Sequence, residues 1–242
     1  MPRRFLTLLD RVRGRIPVRV AGHVSFGVVV LYLAWVAWST FRDPVHAGPS
    51  SLAQLVRISS IEGLATFLLV SVLLWLGRET PKDLGYQPER LGRQILMGLG
   101  SGLAILVVTG IALPSLFASY FPQSHGTGFE GLAPSPWNLP VMVLVGILGG
   151  GFIEELQRVF ILTRFRNIWG RPGLLVGLVL EAGVFGLGHF YQGWGGVVTG
   201  ALSGLLFALV WLRKGRIIEA MVAHACMDVV AFGLGALLGQ GP

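Results

Sequence analysis

Charge is what this chain has least of. Only 13% of its 242 residues are Asp, Glu, Lys or Arg, against 53% hydrophobic residues and a mean hydropathy of +0.69, a balance outside the usual soluble globular mix. Cysteine is almost missing too: Cys226 stands alone, which excludes an internal disulfide or a thiolate metal cluster and reads as small apolar packing. The chain has no internal repeat, no low-complexity tract and no phosphate-binding glycine loop. The net charge of +7 does not mark a nucleic-acid surface, because the basic residues are not gathered on an amphipathic or aromatic-interleaved stretch.

What is present is long apolar runs. A membrane-spanning helix needs about 20 mostly apolar residues, and seven runs qualify: 24–41, 55–77, 94–118, 137–163, 173–190, 195–212 and 217–238. The expected fold is therefore all-α, a polytopic transmembrane helix bundle with about seven spans, forming a single transmembrane domain over 23–242 behind a basic interfacial segment at 1–22. The basic residues alternate with the spans. Six lie in the N-terminal tail, four after the second run, three after the fourth and three after the sixth, against Arg42 and Arg57 on the other side. By the positive-inside rule this makes the N-terminus cytoplasmic and the C-terminus external, in a cell (inner) membrane. The first run ends without a small-residue cleavage site and reads as an uncleaved anchor.

Glycine is abundant, with 35 residues. Gly98, Gly100 and Gly102, and Gly146, Gly149, Gly150 and Gly151, fit close helix packing; the Gly149–Gly151 run also fits a local unwinding ahead of an acidic pair. The segment 119–136 reads as an outside loop, and His125 and Glu130 in it as solvated, like His23 and His46 beside the first run.

Three runs are singled out by ionisable residues whose cost at bilayer depth makes them candidates for function. Glu154, Glu155 and Arg158 lie in the fourth, Glu181 and His189 in the fifth, and His224 and Asp228 in the seventh. Residues four apart share a helix face, which joins Phe185 to His189, His224 to Asp228, and Glu154 to Arg158. A lone intramembrane His is often only an interhelical hydrogen bond, and a Glu with Arg one turn on can be a neutralising pair. Carboxylates and imidazoles on three neighbouring helices are, however, the ligand and acid/base types of a hydrolytic site.

In this order and spacing, the Glu154-Glu155 pair with Arg158, then Phe185-x-x-x-His189, then His224-x-x-x-Asp228 resemble the CAAX protease and bacteriocin-processing (CPBP, also called Abi) family of intramembrane proteases. The Asp83-Leu84-Gly85-Tyr86 turn and the stretch from Gly200 to His224 extend the resemblance to about 80–235. The chain departs from the family pattern in having only Leu156 and Gln157 between the second Glu and Arg158, so that Arg158 can reach Glu154 at four residues or Glu155 at three. It departs again at Glu181, which can orient His189 or pair with Arg158 from behind the site, with Phe185 beside it.

The resemblance implies hydrolysis of a peptide bond in a membrane-associated protein or peptide, with membrane lipids as surroundings and no nucleic acid as partner. One scheme makes Glu154 the general base, with His189 positioning water and His224 and Asp228 meeting the oxyanion. The other has Glu154, His189, His224 and Asp228 hold a divalent metal, zinc first among candidates, that activates water. An ionised Asp228 cannot donate to an oxyanion where the family's Asn can, which favours an orienting or ligand role there. A non-proteolytic immunity or scaffold protein that keeps these residues as a polar knot is the alternative; a transporter would need paired interrupted helices, which are not seen. Counted along their runs, Glu154 and His224 both lie about 12 to 14 Å deep, whereas His189, about 16 residues into its run, falls too far outward unless tilt or a later start absorbs the difference.

Overall fold

The computed structural model describes residues 13–42, 51–117 and 138–237. The expectations for His46, His125 and Glu130 fall outside them. Among the described residues there is no strand. The helices are α1 (Val18–Arg42), α2 (Leu52–Gly77), α3 (Leu91–Leu106), α4 (Leu113–Phe117), α5 (Leu139–Val145), α6 (Glu155–Gly188), α7 (Gly193–Lys214) and α8 (Ile217–Leu237). Wider π-helical turns, Val107–Ala112 and Gly146–Glu154, join α3 to α4 and α5 to α6 without breaking the rod.

Six helical stretches are long and apolar enough to cross a membrane, with mean hydropathy between 1.7 and 2.2. They are apolar on nearly every face. Helix α1 buries Ala21, Ser25, Val29 and Leu33 at four-residue steps while exposing Val24, Leu31, Trp35 and Trp38, the pattern of a helix whose outer face meets lipid. It also begins at Val18, inside the basic segment assigned to 1–22.

The longest stretch, Leu139–Gly188, counts as one but is a hairpin. Gly170 has φ 64° and ψ −140°, open to glycine and costly for other residues, and Pro172 opens the second arm where its missing N–H costs nothing. Arg158 Nε donates to Glu181 Oε1 at 2.9 Å; in one straight helix residues 23 apart would be about 34 Å apart. The sequence runs 137–163 and 173–190 are thus the two arms of this hairpin. They lie close because Gly173 and Gly177 face Phe165, whose Cβ would be 2.9 Å from a methyl at Gly177.

Glycines close other helix crossings. A Cβ at Gly98 would press on Val222 of α8, and one at Gly102 would stand 2.9 Å from Cys226 Cβ, whereas Gly100 faces open space. The expectation of packing holds for the first two and not for the third. At the other end of α2, Ser51 caps Leu52–Gly77 by accepting from Gln54 N at 3.2 Å. The turn after α2 is held by Thr80, whose N–H and hydroxyl donate to Asp83 Oδ2 at 2.7 and 2.8 Å and keep that carboxyl below the usual Asp range.

Buried Leu84 joins the main core with Val159, Leu162, Phe165, Ala208 and Trp211. Trp211 Nε1 donates to Leu84 O at 3.2 Å, and Ile217 N to Gly85 O at 3.2 Å. These bonds tie the turn to the α7–α8 junction.

Candidate active site

The site lies where the first arm of the hairpin, its second arm and α8 meet. Glu155, Arg158, Glu181 and His224 are 0%, 1%, 5% and 3% exposed. Burying such groups is costly unless they satisfy one another, and they do so as a chain. Arg158 pairs through Nη1 with Glu155 Oε1 and through Nε with Glu181 Oε1 at 2.9 Å. The same Glu155 oxygen lies 2.7 Å from His224 Nδ1. An ionised carboxylate can only accept, so Nδ1 carries the proton and Nε2 is turned away from Glu155.

Rings wall this chain in. Phe185 sits 4.4 Å from the Arg158 guanidinium carbon, as a cation–π partner. Phe207, fully buried on α7, stacks on His224 with centroids 4.3 Å apart and planes at 15°. The His224 ring is held from one edge by Glu155 and over one face by Phe207.

Its Nε2 looks into a cavity of about 310 Å³ that Glu154, His189, Ser203 and Asp228 also line. Glu154 Oε2 and Asp228 Oδ1 each stand 3.7 Å from Nε2. The Glu154 side chain is 42% exposed where Glu155 is wholly enclosed, so adjacent carboxylates have opposite surroundings. His189 Nδ1 donates to Phe185 O at 2.9 Å, since a carbonyl only accepts, which leaves its Nε2 free of that bond. Gly200 gives this ring its seat: a methyl there would be 3.0 Å from His189 Nδ1.

The floor is the π-helical turn. A Cβ at Gly150 would run into Asp228 Oδ2 and stand 3.1 Å from His224 Nε2, and one at Gly151 would press on Ala225. Gly149 faces only Val145. Of the two uses open to the Gly149–Gly151 run, the structure has both: Gly150 and Gly151 pack, and the backbone widens to π-helix, a geometry common at functional sites.

The depth discrepancy at His189 also has a reason. The first arm does not stop at 163 but continues to 169, so both arms are measured from Gly170. Counting back from that pivot sets Glu181 level with 159 and His189 level with 151, about 4 to 5 Å beyond Glu154. A side chain spans that gap.

All six residues singled out as catalytic, with Glu181 and Phe185, thus fall around one junction. Arg158 takes Glu155, at three residues, and not Glu154. Glu181 pairs with Arg158 and not with His189. Phe207 and Gly200 were missed as parts of the site, because an aromatic or a single glycine inside an apolar run carries no signal of its own. Among the described residues no group of three or more His, Cys, Asp or Glu side chains is arranged to hold a metal ion.

A polytopic helical membrane protein with carboxylates and imidazoles converging on one cavity is the class that fold and site define. Residues 136–230 match the family model described as type II CAAX prenyl endopeptidase Rce1-like, which belongs to the CPBP/Abi family. The resemblance carried by the motifs therefore holds across that segment, which contains every site residue named above; the Asp83–Tyr86 turn lies before it. No curated protein and no solved structure matches the chain. At family level the match supports a CAAX-type intramembrane protease with a protein or peptide substrate.

Proposed function

We propose that this protein is an intramembrane endopeptidase that hydrolyses a peptide bond in a membrane-associated protein or peptide, using Glu154 to activate water. The observation that carries the reading is the division of labour at His224: Nδ1 is committed to buried Glu155, while Nε2 faces a cavity shared with Glu154, His189 and Asp228. Glu154, the partly exposed carboxylate, takes a proton from a water that His189 Nε2 holds by hydrogen bond. The resulting hydroxide adds to the substrate carbonyl carbon. His224, in its protonated form, donates Nε2–H to the developing oxyanion, and Glu155 steadies the imidazolium from behind. Glu154 then returns its proton to the departing amine nitrogen, and the C–N bond breaks to give acid and amine. Asp228, an acceptor when ionised, orients His224 and does not donate to the oxyanion.

One observation favours a second reading, a non-proteolytic scaffold. The Glu155–Arg158–Glu181 chain is as enclosed as a structural knot would be. A structural knot does not account for Glu154, whose partly exposed carboxylate stands outside that chain and lines the cavity.

The test is cleavage of a tagged membrane-peptide library by purified protein, comparing wild type with Glu154→Ala, His189→Ala and His224→Ala. Each variant is expected to lose at least about 10²-fold in kcat/KM. Cleavage that survives all three substitutions overturns the enzyme reading. Glutamate-driven hydrolysis also predicts full activity after exhaustive chelation; loss of activity that zinc restores would replace it with the metal scheme.

A further inference from the structure

Helix α2 carries one carboxylate that the site just described does not use. Glu62 lies ten residues after Leu52 and fifteen before Gly77, well inside the span, where an ionisable group is expensive without a partner. It is exposed, and it makes no hydrogen bond or ion pair among the described residues. Two independent observations on its neighbours place it beside the catalytic cavity. Leu55 and Ser59, at seven and three residues before it and so on the same face, line that cavity. Gly63, its neighbour, packs against Ile153 next to Glu154, with a Cβ there 3.5 Å from Ile153 Cγ1. Glu62 and Glu154 are accordingly within electrostatic reach of each other.

Among the described residues no cation reaches this point. Arg158 is enclosed by Glu155 and Glu181. Arg57, five residues before Glu62, points about 140° away around the helix. On the outer side of α2, Ile58, Ile61, Leu64 and Leu68 are exposed and suited to lipid, so Glu62 stands at the edge between the lipid-facing surface and the cavity. A polypeptide that entered the cavity across this edge would pass it.

We infer that Glu62 is a specificity-determining residue that pairs with a cationic side chain, Lys or Arg, of the polypeptide substrate close to the bond that is cut. This rests on the proteolytic reading above and adds a substrate class to it. A carboxylate within the span that has no partner among the described residues favours a guest that brings the opposite charge, and it penalises an acidic guest by repulsion from both Glu62 and Glu154.

The experiment uses the full chain in vesicles and peptides identical except for Lys, Gln or Glu at each position within three residues of the cut. Wild type is expected to prefer Lys over Gln at one such position by on the order of tenfold in kcat/KM. Glu62→Gln should bring that ratio close to one, and Glu62→Lys should invert it in favour of Glu. A Lys-to-Gln ratio unchanged in Glu62→Gln overturns the inference, as does a parallel loss on all peptides, which would mean that Glu62 acts on Glu154 and not on the substrate. A preference that disappears on chelation overturns it too, because the guest would then be a divalent cation. The two readings fail separately. If cleavage needs Glu154 and His224 but ignores Glu62, only the specificity inference falls; if no peptide is cleaved in a manner dependent on Glu154, the proteolytic reading falls first.

Discussion

Arg158 bears the electrostatic balance of the site. It is enclosed between Glu155 and Glu181 with Phe185 against its guanidinium, and no other Lys or Arg stands near enough to replace it among the described ion pairs. Arg158→Gln leaves two buried carboxylates uncompensated and is expected to cost about 3–5 kcal/mol, read as a lowered Tm in detergent. Arg158→Lys keeps the charge but not the fork that serves two carboxylates at once, and should fall between the two. Equal Tm values for wild type and Arg158→Gln would show that the chain of charges contributes nothing to the fold. The sequence already narrowed the partner of Arg158 to Glu154 or Glu155, because cost at bilayer depth identifies the charges and helical period limits their reach. Choosing between them needed the second arm: Arg158 bridges Glu155 to Glu181 on it, while Glu154 ends the π-helical turn and lines the cavity. Glu62 carried the same kind of signal as Glu154, a carboxylate inside an apolar run, and could have been found by the same argument. Phe207 could not, since its role exists only through the ring it stacks upon.

Among the helices, the π-helical turn Gly146–Glu154 does most to shape the cavity, because it lets the backbone itself form the floor beneath His224 and Asp228. Gly150→Ala is expected to displace Asp228 and the His224 ring and to lower cleavage by about 10²-fold, the scale set by misplacing a catalytic group by about 1 Å. Gly149→Ala is its control: that Cβ meets only Val145 Cγ1 at 3.9 Å, and activity should stay within about twofold of wild type while the helix gains slightly from the better helix former. If the two variants behave alike, the floor is not packed as described. Seven apolar runs in the sequence anticipate the helices well, since hydropathy reports directly on burial in lipid. The closing of two runs into one continuous hairpin was not legible, because Gly170 is one glycine among many and only its positive φ marks it as the pivot. The π-helical geometry was legible in part: the Gly149–Gly151 run pointed to a local unwinding before the acidic pair, while its extent from Gly146 to Glu154 is set by packing against α8.

At the scale of the whole molecule, contacts gather the basic segments at one end of the bundle. Arg164 of the hairpin forms a two-pronged ion pair with Glu79 after α2, Gly85 is packed directly against the Gly215 backbone between α7 and α8, and the Arg13 guanidinium lies 5.8 Å from the Trp75 ring. Four stretches that alternate with the spans in sequence thus share one side, which is the geometric condition that the positive-inside rule requires. We propose that this side is cytoplasmic. The single cysteine makes the proposal easy to test: in a Cys226→Ser background, cysteines placed one at a time at Lys82, Arg171 and Lys214 should resist a membrane-impermeant maleimide added to intact cells and react only after permeabilisation. A cysteine at Ser51, at the opposite end of α2, should react in intact cells. Labelling of Lys82, Arg171 and Lys214 from outside would invert the topology, and with it the side from which Glu154 and the cavity draw their water. Labelling split among those three positions is not compatible with the contacts that hold them together, because Glu79 cannot reach Arg164, nor Gly85 reach Gly215, across a hydrocarbon layer about 30 Å thick.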